Sequence, residues 1–103
     1  MAIRIIGGSK TLSKEDEKLK EPRDYAVILL NDDYTTREFV VEILKLIFHK
    51  NHQEATRIML NVHRRGRGSA GVYTRDIALT KVNQVHELAR QYEFPLMCVV
   101  EEV

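Results

Sequence analysis

A run of polar residues, 31–35, directly follows the apolar segment 25–30. Asn31, Asp32 and Asp33 place three side-chain oxygen acceptors in succession. An α-ammonium group donates three hydrogen bonds and accepts none, so its partners must be amide or carboxylate oxygens or the lone pair of a neutral imidazole. The run could therefore bind such a cation. It could also serve ordinary helix capping, for which Asn and Asp are preferred residues, and these side chains alone leave both interpretations open.

The sequence offers little to a catalytic mechanism. Nucleophilic catalysis needs a nucleophile next to a general base. Cys98 lies between Met97 and Val99 in an apolar run, which is typical of a core residue, and the three serines show no nucleophile-elbow spacing. The chain has no phosphate-binding loop motif. We therefore expect a protein that is not an enzyme and has no cofactor.

The four histidines do not predict a metal site. His49 and His52 are three residues apart, but they lie on either side of a predicted helix break. His63 and His86 are distant in the sequence, and the chain has no cysteine pair to complete a zinc site. Scattered surface histidines are the simpler interpretation, and we expect no bound metal.

A basic segment, Arg64-Arg65-Gly66-Arg67, is followed by glycines at 68 and 71 in the bare GxxG pattern of KH domains. A KH loop joins two helices, whereas this segment precedes a predicted strand. Nucleic-acid binding also favours a larger basic surface than this chain offers. We expect no nucleic-acid partner, although an RNA- or ribosome-associated module using the three arginines remains an alternative.

Composition limits the class of protein. The chain has 103 residues, with 16 Lys+Arg against 15 Asp+Glu, so it is near neutral and long enough for one domain. One cysteine excludes an internal disulfide framework. No apolar run approaches the ~18 residues of a membrane span. We expect a cytoplasmic protein without a membrane anchor.

Residues 1–23 differ from the rest of the chain. They contain six Lys/Arg and four acidic residues, and beyond Ile6 their only large apolar residues are Leu12 and Leu19. Such a segment cannot bury enough apolar surface to offset the entropy of ordering it. We predict a flexible N-terminal extension over 1–23 and a folded core over 24–103.

The core predicts three strands and three helices. Apolar runs at 25–30 and 95–100 predict strands, and a third short strand is expected after a glycine-rich turn between 68 and 73. Thr35-x-x-Glu38 has the pattern of a capping box for a helix to about Phe48, and Asn51 and Thr74 are expected to begin the other two helices.

This order, β-α-α-β-α-β, lacks regular strand–helix–strand repeats. A doubly wound parallel sheet is therefore disfavoured. The predicted fold class is α+β: a small two-layer domain in which a mainly antiparallel three-stranded sheet is covered by three helices.

Four segments together resemble the ClpS family of adaptors, which recognise N-degrons for the Clp protease. The segments are Asn31-Asp-Asp-Tyr-Thr-Thr-Arg-Glu-Phe-Val-Val41, Ala55-Thr-Arg-Ile-Met-Leu-Asn-Val-His63, Gly71-Val-Tyr-Thr-Arg-Asp-Ile-Ala-Leu-Thr-Lys81 and Pro95-Leu-Met-Cys98. They occur in order over about residues 24–101 with family-like spacing.

The resemblance implies a binding site for the free N-terminus of a protein whose first residue is bulky and hydrophobic. By that resemblance Asn31, Asp32 and His63 receive the α-amino group, and Asp33 contacts the degron backbone. The side-chain pocket is lined by Thr35, Arg37, Val40, Met59, Val62 and Leu96. Spacing alone places Met59, Val62 and His63 on one helix face, so a pocket wall and an acceptor can be neighbours there. By themselves these residues are also consistent with two core side chains and a cation at the C-terminal end of a helix.

The resemblance also implies partners. The family docks on the N-terminal domain of a Clp AAA+ unfoldase of the ClpA or ClpC type, and Asp76 and Lys81 match positions involved in that docking. The flexible extension takes part in delivery, and we expect a monomer. The alternative from another class is a scaffold that docks on an unfoldase and alters its substrate choice without binding N-termini.

Arg37 departs from the family pattern, because many members have Met at this rim position. A guanidinium is longer and always charged. We predict that bulky apolar or aromatic first residues still bind, but in a narrowed or reordered ranking. Peptides beginning with Phe, Tyr, Trp, Leu, Ile and Val, titrated against the wild type and Arg37→Met, measure this; an unchanged ranking rejects a gatekeeper role.

Overall fold

The computed structural model describes residues 23–103. These residues form β1 (Asp24–Leu30), α1 (Arg37–Leu46), α2 (His52–Arg65), β2 (Arg67–Thr74), α3 (Arg75–Gln91) and β3 (Met97–Glu102). The strands form one antiparallel sheet in the order β2-β1-β3. The predicted α+β fold, with its β-α-α-β-α-β order, is confirmed. Apart from Arg23, the predicted extension lies outside the described residues, so the division at residue 23 stays a prediction.

β1 is the central strand because its residues are apolar on both faces. Val27 and Leu29 are fully buried in the core, and Ala26 and Ile28 on the opposite face are also buried. The core continues into the inner faces of α1 and α2. Together with α3, these two helices cover one side of the sheet. A strand so apolar is stable only with a neighbour on each side, and here both neighbours pair with it.

α1 begins one residue later than the capping-box pattern indicates. Its N-cap is Thr36, whose hydroxyl accepts a hydrogen bond from the Phe39 N–H at 3.1 Å. The prediction that Thr35 caps this helix is wrong, because the Thr35 hydroxyl donates instead to the Asp32 carboxylate at 2.7 Å. Both threonines suit an N-cap in sequence, and the turn before the helix decides between them.

α2 begins after Asn51, as its sequence indicates. The Asn51 side chain accepts from the Glu54 N–H at 2.8 Å, which satisfies one of the free donors of the first turn. The helix ends at Gly66, which has a φ of 88°, a left-handed conformation that favours glycine. The Gly66 carbonyl then accepts from the Asn31 N–H at 2.9 Å. This hydrogen bond joins the end of β1 to the end of α2.

The predicted glycine turn before β2 is wrong, since the strand already begins at Arg67. Gly68 lies inside the strand, where β2 passes very close to α2. A Cβ atom built on Gly68 would lie 2.9 Å from Cγ2 of Val62. The GxxG pattern is thus explained at its first glycine by close packing.

α3 and β3 are joined by an unusual acceptor. The Cys98 N–H donates to Nε2 of His86 at 3.1 Å, so the imidazole satisfies a backbone donor of an edge strand. Burial, followed by the nearby charge of Arg90, lowers the pKa of His86. Burial also raises the pKa of the Cys98 thiol to about 12.

Within residues 23–103, none of the helices has both the length and the apolar character needed to cross a bilayer.

The His86 contact predicts a pH dependence of stability. The pKa of His86 in the folded protein lies below the ordinary value of 6.5, so the folded state binds this proton less readily than the unfolded state does. The free energy of unfolding should therefore fall as the pH drops below 6.5. His86→Gln keeps a side-chain acceptor that does not titrate, so it should lose less stability between about pH 7.5 and pH 5.5. Urea unfolding at the two pH values measures this difference.

The exposed His52→Gln variant is the matched control and should lose as much stability as the wild type over the same interval. Equal losses in all three proteins would show that the His86 imidazole does not contribute to this pH dependence.

Candidate functional site

A cavity of about 450 Å³ lies where β1 ends, α1 begins and α2 ends. Its volume is within the range of small-ligand pockets. The residues lining it come from the β1–α1 turn, the first turns of α1 and the last turns of α2: Asn31, Asp32, Asp33, Tyr34, Thr35, Thr36, Arg37, Glu38, Val40, Met59, Val62 and His63. The structure thus brings together nine of the ten residues assigned to the N-terminus site.

Asp32 organises the turn that forms one wall of the cavity. Its Oδ1 accepts from the N–H groups of Tyr34 and Thr35 at 2.8 and 2.7 Å, and its Oδ2 accepts from the Thr35 hydroxyl at 2.7 Å. Partial burial by itself raises the pKa of this carboxyl, but the three hydrogen bonds outweigh it and the pKa lies below its ordinary value. Asp32 is therefore ionised and fixes the shape of the turn, a structural role that the sequence pattern did not indicate.

The acceptors in this turn differ in how much hydrogen-bonding capacity remains. A carboxylate has about four lone-pair positions, and the turn itself uses three of those on Asp32. Asn31 is held through its backbone, by the bond to Gly66, and its side chain is exposed. The Asp33 carboxylate is also exposed, and no side chain or amide of residues 23–103 donates to it. The amide oxygen of Asn31 and the carboxylate of Asp33 thus remain open to a ligand.

His63 faces the same cavity from the end of α2. Its Nε2 lies 2.7 Å from Nη2 of Arg37, in the first turn of α1. A guanidinium only donates, so the Nε2 atom must be the acceptor and the proton of the neutral ring must be on Nδ1. The contact links α1 and α2 across the cavity and shows that His63 presents a lone pair there.

Apolar side chains form the base of the cavity. Val40 belongs to α1, and Met59 and Val62 belong to α2; their exposed fractions are 7%, 9% and 3%. The spacing of Met59, Val62 and His63 aligns them along one face of α2, as expected. Val62 is fixed from behind by the close approach of Gly68 in β2. An apolar side chain entering here would meet packed walls.

Leu96 is the one assigned pocket residue that the structure does not bring to this cavity. It lies just before β3, and only 3% of its surface is exposed because it packs in the core. Tyr34, Thr36 and Glu38 also line the cavity, although none of them was assigned to the binding site from the sequence. Their place within the family-like segment 31–41 was the available indication, since a turn that lines a cavity exposes consecutive residues to it.

The two residues assigned to docking lie on α3, away from this cavity. Asp76 is exposed in the first turn. The Lys81 ammonium donates to the Ile47 carbonyl at 2.6 Å and lies 5.5 Å from the centre of the Tyr73 ring. Lys81 also lines a second groove of about 630 Å³ between the end of α1 and α3. Lys81 therefore ties α3 to α1 in addition to any role at the surface.

Across the part of the chain from 23 to 103, no three His, Cys, Asp or Glu side chains come together as metal ligands. The chemistry that the cavity offers is instead a row of oxygen and imidazole acceptors beside an apolar base. Such an arrangement fits a ligand with a cationic donor next to an apolar group.

Three comparisons with known proteins indicate the same family. The family model described as ATP-dependent Clp protease adaptor protein ClpS matches residues 20–99. The ATP-dependent Clp protease adapter protein ClpS of Syntrophus aciditrophicus (strain SB) is 61% identical over 88 residues, which are 85% of this chain and 82% of that protein. Its counterpart of the same name in Burkholderia thailandensis is 57% identical over 94 residues, covering 91% and 90% of the two chains.

A solved structure is similar as well. Agrobacterium tumefaciens ClpS2 bound to L-phenylalaninamide superposes with a TM-score of 0.78 at 42% sequence identity. The match covers 81% of this chain and 100% of that one.

The Asp32 turn predicts a local effect of losing the Thr35 hydroxyl. Thr35→Val keeps the side-chain shape but removes the bond to Oδ2, so the free energy of unfolding should fall by about 1 kcal/mol. The Tyr34 and Thr35 amides should exchange faster in hydrogen-exchange NMR. Acid should also lower the free energy of unfolding. The stabilising contribution of the ionised Asp32 carboxylate is complete above its ordinary pKa of 3.8, and it is lost as the pH falls through the lowered pKa that this carboxyl has in the folded protein.

Thr80→Val is the matched control, since the Thr80 hydroxyl donates to the Asp76 carbonyl within α3. It should leave the Tyr34 and Thr35 amides unchanged. Unaltered exchange at these amides in Thr35→Val as well would rule out the Asp32 carboxylate as the organiser of the turn.

Proposed function

The chain belongs to the ClpS family of ATP-dependent Clp protease adaptor proteins, and we propose that it captures proteins by a bulky hydrophobic N-terminal residue and delivers them to a Clp AAA+ unfoldase for degradation. The observation that carries the proposal is that the acceptors and the apolar base meet in one cavity. The relatives are adaptors, so the chain acts as a specificity factor and not as a protease.

The α-ammonium group of the substrate is received by Asn31, Asp32 and His63. The amide oxygen of Asn31 and the His63 lone pair are neutral acceptors, and the remaining lone pair of Asp32 adds a negative charge beside them. The Asp33 carboxylate lies in the same turn and contacts the first peptide unit of the degron. Hydrogen bonds to a charged group contribute roughly 1.5–3 kcal/mol each.

The first side chain of the substrate enters the apolar cavity. Val40, Met59 and Val62 contact it, and Thr35 and Arg37 border the entrance. Burying a Leu or Phe side chain contributes roughly 1.5–3 kcal/mol. Part of this gain offsets the cost of association, and we expect an affinity in the micromolar range, about −8 kcal/mol, which suits capture followed by release.

The chemistry of a ligand in a related protein supports this geometry. L-phenylalaninamide, bound in the structure of the Agrobacterium ClpS2, has a free α-amine, a benzyl side chain and an amide in place of the next peptide bond. It therefore mimics the first residue of a chain that begins with phenylalanine. Since the two folds superpose over the whole of that chain, the same ligand class is proposed for this one.

Delivery uses a different surface. Asp76 and Lys81 on α3 contact the N-terminal domain of an unfoldase of the ClpA or ClpC type, and residues 1–23 take part in the transfer. One Lys81 donor is already used by the Ile47 carbonyl, and an ammonium group has two more. The protein works as a cytoplasmic monomer, so one molecule presents one degron.

Peptide binding tests the proposal with a readout for each half of the site. Dye-labelled peptides beginning with Phe or Leu should raise the fluorescence anisotropy on binding, and the same peptides with an acetylated N-terminus should not bind, because acetylation removes the ammonium donors. Asn31→Ala should weaken binding about ten- to 150-fold, since it deletes one hydrogen bond to a charged group. The backbone bond from Asn31 to Gly66 survives this substitution.

Asn83→Ala, an exposed asparagine on α3, is the matched control and should bind these peptides as the wild type does. Equal binding of free and acetylated peptides would refute the ammonium site. No peptide binding, with degradation by a Clp unfoldase still altered, would favour a docking modulator. A salt-dependent RNA complex abolished by changing Arg64, Arg65 and Arg67 would favour the nucleic-acid alternative.

A further inference from the structure

We propose that Arg37 is an internal competitor for the ammonium site. In the free protein its guanidinium donates to the His63 lone pair, so an incoming N-terminus must displace Arg37 before His63 can accept from it. This inference rests on the proposed function, because it takes His63 as an acceptor for the α-ammonium group. It gives Arg37 a part in setting affinity that is separate from the shape of the side-chain pocket.

The competition follows from the chemistry of the contact. Nη2 of Arg37 lies 2.7 Å from Nε2 of His63, and both residues line the cavity. A neutral imidazole has a single lone pair, and guanidinium and ammonium groups both only donate. The two cations therefore require the same electron pair, and one excludes the other.

Helix stability does not explain where the Arg37 side chain lies. Arg37 is the first residue of α1, where the positive end of the helix dipole disfavours a cation. None of the ion pairs among residues 23–103 includes Arg37, although Glu38 is adjacent to it. Its hydrogen bond instead reaches residue 63, on a different helix.

The consequence is an exchange of hydrogen bonds on binding. The substrate's ammonium gains the His63 acceptor only as Arg37 loses it, so the apparent affinity is the intrinsic affinity multiplied by the fraction of molecules in which His63 is open. For an exposed hydrogen bond this corresponds to about a two- to tenfold weaker affinity. This loss of affinity arises at the ammonium group, so it should be the same for every free N-terminus, whatever the first side chain is.

Arg37→Met tests the competition, because methionine cannot donate to His63. Peptides beginning with Phe, Tyr, Trp and Leu should each bind about two- to tenfold more tightly to this variant. If the order of affinities among first residues also changes, that change reports on the shape of the pocket rim. It comes in addition to the gain in affinity that all the peptides share. The matched control is Arg64→Met, which removes a positive charge next to His63 from a side chain that does not line the cavity.

A second measurement reads the contact directly. At about pH 8, where an ordinary imidazole is neutral, nitrogen-15 NMR of the wild type should show His63 protonated at Nδ1. Arg37→Met should shift this tautomer toward Nε2–H, and Arg64→Met should not. Saturation of the wild type with a Phe peptide should retain the Nδ1–H form, since the ammonium then donates to Nε2.

The outcomes separate this inference from the proposed function. If the wild type binds free N-termini but Arg37→Met binds them no more tightly than Arg64→Met does, the competition is refuted. An unchanged His63 tautomer in Arg37→Met refutes the contact on which it depends. If the wild type binds no free N-terminus, the proposed function itself fails and the competition falls with it, even where the tautomer shift is seen.

Discussion

The hydrogen bond from the Asn31 N–H to the Gly66 carbonyl is the constraint on which the site depends. It fixes the end of the central strand against the end of α2, and the turn that follows Asn31 lines the same cavity as residues of α1 and α2. Gly66 can offer its carbonyl there because its left-handed backbone turns the chain from helix to strand without strain. Polar acceptors and apolar helix faces are thereby brought together from distant parts of the sequence.

Within this frame the adjacent acidic residues have different tasks. The Asp32 carboxylate uses most of its hydrogen-bonding capacity to accept from donors of its own turn, whereas the Asp33 carboxylate and the Asn31 amide stay open to the cavity. A carboxylate that is ionised and held by backbone donors cannot collapse into the pocket. The turn is thus prepared before a ligand arrives, which reduces the entropy that binding must overcome.

The sequence predicted the fold class because that depends on local signals: an apolar central strand and helix start and stop residues. Spacing alone also placed Met59, Val62 and His63 on one helix face, whereas the other residues of the proposed site were assigned by the resemblance to the ClpS family. The predictions failed where two local choices were equivalent. Thr35 and Thr36 both suit an N-cap, and only the Asp32 carboxylate, which engages Thr35, decides between them. Gly68 was interpreted as a turn residue, but it lies in a strand, where the nearness of Val62 leaves no room for a side chain. The side-chain direction of Arg37 depends on His63, which is 26 residues away, and no local pattern encodes it.

The burial of Cys98 has a practical consequence. This is the sole sulfhydryl of the chain, and at neutral pH it is almost entirely in the unreactive thiol form because its pKa is raised to about 12. Maleimide reagents attack thiolates, so the native molecule resists them while folded. A cysteine introduced at an exposed surface position can therefore receive a single fluorophore without removal of the native one, and the molecule is already suited to site-specific labelling.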